Sequence, residues 1–421
     1  MEKINKKERK AVDRRTFLKV AGAAGAATLV DGFPYVVRAK PKEVLIGTIH
    51  PLSGGLAQAG NALKTGVVLA AEEINRAGGI KSLGGAKLKL IHADSEGKPQ
   101  IGVAEAERLI KEGVLATFGC YQSSVTFAVT QIHEKYKTPF LITLAISEKI
   151  LQRGFKYTFR VSCDSVISVR EIIDMIPKFA REMGTEVKTI ALFHEDTLFG
   201  VTMSSNGKKR APAAGLEVVA DISYNWKTKD LSPEVTKLKA AKADVIAPTG
   251  YLPDAILMAR TMKELKCNAK GVIGLISGGL SNPIFPREAG DAAEYMMTGI
   301  NWPDPVNPRT IDLAKRFLKR TGNKMNEEGT YGYMPVYVLK DALERAGTTD
   351  RKAVRDAIAE TNLADHILPQ EKSIIFDKTG QNTNAGILYT QVKKGEIYSV
   401  YPTKYAQEKP IFPVPRWEDR G

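Results

Sequence analysis

Five histidines, His50, His92, His133, His194 and His366, stand far apart, and no two have the spacing that brings paired imidazoles to one metal. The densest cluster of ligating types is His194-Glu195-Asp196. Adjacent residues of a strand point to opposite faces, which argues against their meeting at one ion. No Gly-x-Ser-x-Gly elbow supplies a hydrolase nucleophile, and nothing else assembles a nucleophile, a base and an orienting group. Cys120, Cys163 and Cys267 are odd in number and lack metal-ligand spacing. Cys120 and Cys163 flank predicted strands and read as small apolar fillers. An oxidising compartment allows one disulfide, whose pairing the sequence leaves open. The expectation is a binder without catalytic residue, metal or cofactor.

Binding chemistry has better candidates. In Gly119-Cys120-Tyr121-Gln122-Ser123-Ser124, Ser123 falls at the expected cap of an apolar helix. The free N–H groups and dipole of such a helix end attract a carboxylate or another anion. The plain alternative is that Ser123 merely caps its helix. Pro51-Leu52-Ser53-Gly54-Gly55 is a second candidate loop, since glycine lets the backbone approach a ligand closely. It is neither a dinucleotide fingerprint nor a P-loop. Thr143, Ala145 and Ser147 are placed to offer hydroxyls and backbone groups to the same site, although turn chemistry explains them equally well.

The elements that must carry these residues follow a strand–turn–helix grammar. Residues 43–50 form an apolar strand. Leu63, Val67, Ala70, Ala71 and Ile74 lie at helical spacing in 58–77, and Gly78-Gly79 stops that helix. Strands are predicted at 87–93, 114–120 and 139–145, with helices at 100–111 and 124–137 between them. After a crossing strand at 156–162 the grammar restarts. Strands at 189–195, 216–224, 244–249 and 271–277 alternate with helices at 166–183, 201–214, 233–242 and 253–265. After a further strand-like stretch at 295–302, the chain turns helical at 309–320, 331–346 and 351–360, and ends with β-like pieces at 373–376 and 387–393. Apolar strands alternating with amphipathic helices imply an α/β chain with two doubly wound parallel-sheet lobes. Ligands of such sheets bind beyond the carboxyl ends of the strands, where the candidate loops lie.

A chain of 421 residues is long for one core, and its 43% hydrophobic and 26% charged residues make an ordinary globular balance. No apolar run approaches the roughly 18 residues that span a bilayer. Residues 1–39 stand apart. Arg14-Arg15-Thr16-Phe17-Leu18-Lys19 precedes a Gly/Ala-rich stretch and then Val37-Arg38-Ala39, the layout of a twin-arginine-like signal peptide cleaved after Ala39. That predicts export to the periplasm. The segment carries nine Lys/Arg against four Asp/Glu, so it accounts for five of the fourteen formal positive charges. The remaining basic residues are scattered, with no nucleic-acid motif.

Taken in order, several segments resemble the periplasmic leucine/isoleucine/valine-type (type 1) substrate-binding proteins of ABC transporters. They are Ile46-Gly47 with Pro51-Leu52-Ser53-Gly54, Gly66 through Ala77-Gly78-Gly79-Ile80, Gly119 with Ser123-Ser124-x-Thr126, Pro139-Phe140, Phe159-Arg160, Gly290-Asp291-Ala292-Ala293-Glu294, and Ala342-Leu343-Glu344-Arg345-Ala346-Gly347. The match covers nearly all of residues 43–405. It implies two lobes, 40–161 with 300–369 and 162–299 with 370–421, whose chain crosses a hinge three times, near 160–164, 299–301 and 368–371. It implies a small-molecule ligand between the lobes, an inner-membrane permease as partner, and action as a monomer. Ligand-binding positions implied are Ser123 and Ser124 for a carboxylate, Ala145 and Ser147, and Phe199, Tyr251 and Ser277 on the far lobe, beside Ser53 and Tyr121 in the candidate loops. One departure stands out. Where amino-acid binders of this family offer an acid to the ligand ammonium, near Ile276-Ser277-Gly278, this sequence has no carboxylate. An unpartnered ammonium in a closed cleft is costly. The expected ligand is therefore a small carboxylate or amide, either an amino acid or an aromatic or aliphatic acid without the amino group, and the missing acid favours the latter. The alternative function is the ligand-sensing module of a regulator, which uses the same fold.

Overall fold

The computed structural model describes residues 41–420, so the expected signal segment and its cleavage site lie outside the described residues. The chain opens with β1 (Glu43–His50), α1 (Ala57–Arg76), β2 (Lys87–Asp94), α2 (Pro99–Lys111), β3 (Ala116–Gly119), α3 (Ser123–Lys135), β4 (Phe140–Ile142) and β5 (Thr158–Arg160). These strands form a wholly parallel sheet in the order β2-β1-β3-β4-β5. Such a sheet needs helices on both faces, and the sequence supplies them. Ile46, Phe118 and Leu141 pack with Leu63, Val67 and Ala70 of α1 on one side. Ile49, Phe140 and Ile142 pack with Ala106, Leu109 and Val129 of α2 and α3 on the other.

The chain then builds a second sheet. α4 (Ser165–Glu182), β6 (Thr189–Glu195), α5 (Leu198–Arg210), β7 (Glu217–Tyr224), α6 (Ser232–Ala241), β8 (Val245–Thr249), α7 (Leu252–Glu264) and β9 (Gly271–Leu275) keep the expected alternation. Two short helices, α8 (Gly278–Ser281) and α9 (Ile284–Ala289), precede β10 (Met297–Ile300). The sequence pattern did not give these helices, because they are too short to show a period. The polypeptide returns to the first lobe as α10 (Pro308–Thr321), α11 (Glu327–Ala346), α12 (Arg351–Ala359) and the small ladder β11 (Asn362–Leu363) with β12 (Ile374–Ile375). It ends in the second lobe with the hairpin β13 (Leu388–Lys393) and β14 (Glu396–Tyr401), which pairs antiparallel on β10. The second sheet runs β14-β13-β10-β9-β8-β6-β7.

α11 lies against α1 at backbone distance. A Cβ placed on Gly332 would stand 2.1 Å from the Leu63 carbonyl oxygen, and one on Gly66 would stand 2.1 Å from that of Gly329. Only glycine fits at either position. α11 therefore docks on α1 as a close-fitting rod whose first turn faces the second lobe.

The passages between lobes are pinned side by side. Buried Arg160 donates from Nη2 to the Ser147 carbonyl (2.7 Å) and from Nη1 to Gln381 Oε1 (3.1 Å). Gln381 Nε2 donates to the Ser162 carbonyl (2.8 Å), and Asn382 Nδ2 to that of Val161 (2.8 Å). The Cys163 N–H donates to Asn301 Oδ1 (3.4 Å). The first passage is held at Arg160–Cys163 and the second at Asn301. The third does not lie at 368–371, because Leu368, Ile374 and Phe376 are apolar and stay in the first core. The crossing comes after the turn at Asp377, with Gln381 and Asn382. Cys120, Cys163 and Cys267 are all buried and unlinked. No helix among the described residues is long and apolar enough to cross a membrane.

Candidate functional site

β3 ends at Gly119, and the next residues turn at once into α3, so Tyr121 and Ser123 project at the carboxyl edge of the first sheet. They meet Phe199, near the start of α5, and Tyr251, at the start of α7. These four line one hollow between the lobes, and Leu144, Ile146, Ile276, Gly278, Ile300 and Glu327 complete its wall. The hollow encloses about 30 Å3, so its walls stand close together.

The Ser123 hydroxyl does not cap its helix. α3 begins at Ser123 itself, and the cap position, Gln122, makes no side-chain cap bond. Buried Ser123 instead accepts from the Ser147 N–H at 3.3 Å. The simple capping alternative therefore fails, and the first turn of α3 has no side-chain acceptor from its cap residue. Ser147 bridges the lobes, its Oγ lying 3.1 Å from Thr202 Oγ1 of α5.

Aromatic rings join the two walls. Tyr251 sits at the centre, with ring centroids 5.7 Å from Tyr121, 5.6 Å from Phe199 and 5.5 Å from Trp226. The first two contacts are tilted and the Trp226 contact is edge-on, arrangements that suit aromatic pairs, and together they make a face able to hold an apolar or cationic body.

Other expected residues take different places. Ala145 is buried in the first lobe's core, while its neighbours Leu144 and Ile146 reach the wall. Ser124 is half-buried on the next turn position of α3 and does not line the hollow. Ser277 is buried and turned inward, its N–H donating to Thr298 Oγ1 (3.2 Å), while Ile276 and Gly278 on either side face the hollow. Ile276 holds that course with φ +50, a left-handed conformation that strains a β-branched residue. Ser53 is exposed and outside the hollow. Its loop is tied to Asp94, which accepts the Leu52 N–H at 2.7 Å. His194 Nε2 contacts Asp221 Oδ1 at 3.2 Å, and Glu195 accepts N–H groups of Thr197 and Gly200, both at 2.6 Å.

Sequence reasoning missed Glu327, and its position overturns the expectation that no carboxylate stands near Ile276-Ser277-Gly278. Glu327 Oε1 accepts from Ser281 Oγ at 2.7 Å. A Cβ on Gly278 would stand 3.3 Å from both Glu327 Oε1 and the Tyr121 hydroxyl. The acid arrives from a distant part of the chain, which a local comparison of segments cannot see. α11 starts at Glu327 rather than near residue 331, as expected from its apolar period. The overlooked signal was Asn326 followed by two acids, a helix-start pattern. Burial pushes the Glu327 carboxyl up to about 7 and its neighbour Glu328 well above the usual range, the second also by repulsion from Glu327. Burial, and then these two acids, raises the Tyr121 phenol as well.

Comparisons with known proteins agree with this geometry. A family profile described as periplasmic binding protein matches residues 43–396. The Leu/Ile/Val-binding protein homolog 7 of Brucella abortus (strain 2308) is 27% identical over 369 residues, covering 86% of this chain and 92% of that protein. The crystal structure of a leucine binding protein from Thermotoga maritima superposes with a TM-score of 0.75 at 22% identity, covering 84% of this chain and 97% of that one. A solute binding protein of an ABC transporter from Rhodopseudomonas palustris BisB5, in complex with 3,4-dihydroxybenzoic acid, gives a TM-score of 0.75 at 20% identity, covering 89% and 99%. A profile match over most of the chain, and two sheets facing each other across one hollow, make this chain a member of the periplasmic binding protein family.

Proposed function

We propose that this chain is an exported receptor of a branched-chain-amino-acid-type ABC transporter, a carrier rather than a catalyst, that captures a small molecule between its lobes and delivers it to an inner-membrane permease. The observation carrying this reading is the hollow itself, walled by Tyr121 and Ser123 from one lobe and Phe199, Tyr251 and Ile276 from the other. A ligand touching both walls favours the shut arrangement over an open one, which couples binding to shape. The lobes comprise 40–161 and 162–299, completed by the later segments on either side of the Gln381 crossing. The three pinned passages act as the hinge. The first turn of α3 and the Ser123 hydroxyl receive a carboxylate or amide oxygen. Residues 1–39 direct export and are removed after Ala39, and the mature chain works as a monomer. A leucine binding protein and a 3,4-dihydroxybenzoate complex among proteins of the same fold support the reading of a small ligand with an acid group.

Mass spectrometry of small molecules released from the natively purified protein, followed by titration calorimetry with the compound found, tests the reading. A single carboxylate or amide compound that binds tightly and shrinks the radius of gyration in solution scattering is the expected result. Binding without compaction, or turnover of the compound, defeats it.

A further inference from the structure

A groove separate from the hollow opens beside the second passage and encloses about 390 Å3. Its walls come from both cores. Ile311, Leu318 and Met325 stand on the side of α10, which packs Leu313 and Phe317 into the first core. Ile397 and Tyr398 of β14 and Trp302 of the passage belong to the second core. Ile311 and Leu318, two turns apart on α10, are 43% and 46% exposed, so the helix carries apolar side chains on a face that its own packing does not use. Contiguous exposed apolar surface marks binding grooves. A volume of roughly 300–1,000 Å3, a mostly apolar wall and a place between two domains are properties of small-molecule sites. Of the two cations in the lining, Lys324 is held by Glu396 at 2.7 Å, whereas Lys315 makes no ion pair among the described residues. Glu396 is the one acid in that lining. An apolar trough with spare positive charge at its rim is the complement of an amphipathic anion. The groove and the hollow share no lining residue, yet two segments serve both. Ile300 and Glu327 wall the hollow, while Trp302 and Met325, each two residues away, wall the groove.

We infer that this groove is a second ligand site, for an amphipathic anion with an aromatic or hydrocarbon body, and that its occupancy steadies the lobes in the arrangement seen here. The apolar body lies between α10 and β14 against Trp302, and the anionic group meets the Lys315 ammonium. A guest touching both lobes binds this arrangement more tightly than one in which the walls part, and so shifts the population toward it. The inference needs only the groove and does not depend on the transport-receptor reading.

Fluorescence titration of the intact protein with 8-anilinonaphthalene-1-sulfonate and its uncharged counterpart, N-phenyl-1-naphthylamine, tests it. Expected is saturable binding of both dyes, tighter for the sulfonate by about two- to fivefold, the scale of an exposed ion pair. Lys315→Gln removes that margin and leaves the affinity for the neutral dye unchanged. Ile311→Glu and, independently, Leu318→Glu each weaken both dyes by about tenfold or more, because a carboxylate then faces the apolar guest. Both side chains are exposed, so the melting temperature holds. Saturating sulfonate dye also lowers the radius of gyration in solution scattering. No saturable binding, or affinity that survives both glutamate variants, overturns the site. A margin that is absent from the parent, or that survives Lys315→Gln, overturns the anionic class. An unchanged radius of gyration overturns the link to the lobes. A parent dimer broken by Ile311→Glu gives the groove to a second copy of the chain and overturns the small-molecule site as well.

Discussion

Ser123 accepts from the Ser147 N–H, which leaves its own hydroxyl proton to donate to a guest. A hydrogen bond from that hydroxyl to a charged carboxylate is worth about 1.5–3 kcal/mol, or roughly 10–100-fold in affinity. Ser123→Ala is expected to weaken binding of a carboxylate ligand by about that factor and to lower the melting temperature, because the buried Ser147 N–H loses its acceptor at a cost of about 1–3 kcal/mol; calorimetry beside a thermal melt checks both. At this scale the sequence was partly readable. Tyr121 and Ser123 stood out because a strand end running into a helix start is a local pattern. Phe199 and Tyr251 entered only through family resemblance, since nothing in their own segments marks a ligand contact. Ala145 and Ser277 show how a one-residue difference in facing decides exposure to the hollow, and sequence alone does not fix that phase in an irregular strand-to-helix turn. Glu327 escaped because its importance depends on which distant loop it meets.

Elements were more legible than residues. β1 and β6 have the bounds their apolar runs predict, and most helices differ at their ends by a few residues. The helix starting at Glu327 is the instructive exception. Its first turn carries acids and a glycine instead of the apolar period used to find it, so it was read four residues short. That turn owes its position to glycine. Adding a methyl group at Gly332 forces α11 away from the Leu63 carbonyl oxygen. Gly332→Ala is therefore expected to cost about 1–3 kcal/mol, the usual scale of overpacking, read from chemical denaturation. The same shift moves Glu327 relative to Gly278, so ligand affinity falls as well. Gly322→Ala, at a helix end with open space around it, also strains its backbone (φ +73) but leaves α11 on α1, and affinity is retained. The third crossing was misplaced for a related reason: a short apolar ladder such as Asn362–Leu363 with Ile374–Ile375 is invisible until its partner strand is known.

At the scale of the whole molecule, buried titratable groups give the chain a characteristic pH response. Burial pushes Asp254 up to about 8 and Glu327 up to about 7. Unfolded carboxylates release those protons near pH 4, so folding takes up protons between roughly pH 4 and 8 and is favoured by acidification across that window. His50 and His133 act oppositely: burial lowers them to about 3 and about 4, so their contribution is intact above about 6.5 and is lost as pH falls through the acid range. Between about pH 7 and 8 the carboxyl groups dominate, so the melting temperature is expected to rise on going from 8 to 7. Asp254→Asn should flatten that rise, and a series of thermal melts would show it. The sheltered thiols described above have a further use. Cys120 and Cys267 sit inside separate lobes, whereas Cys163 lies where the first and second passages touch. An alkylating reagent applied to the intact protein thus acts as a three-channel clock. Labelling confined to Cys163 times the loosening of the pivot alone, and simultaneous labelling of all three sulfurs times global unravelling.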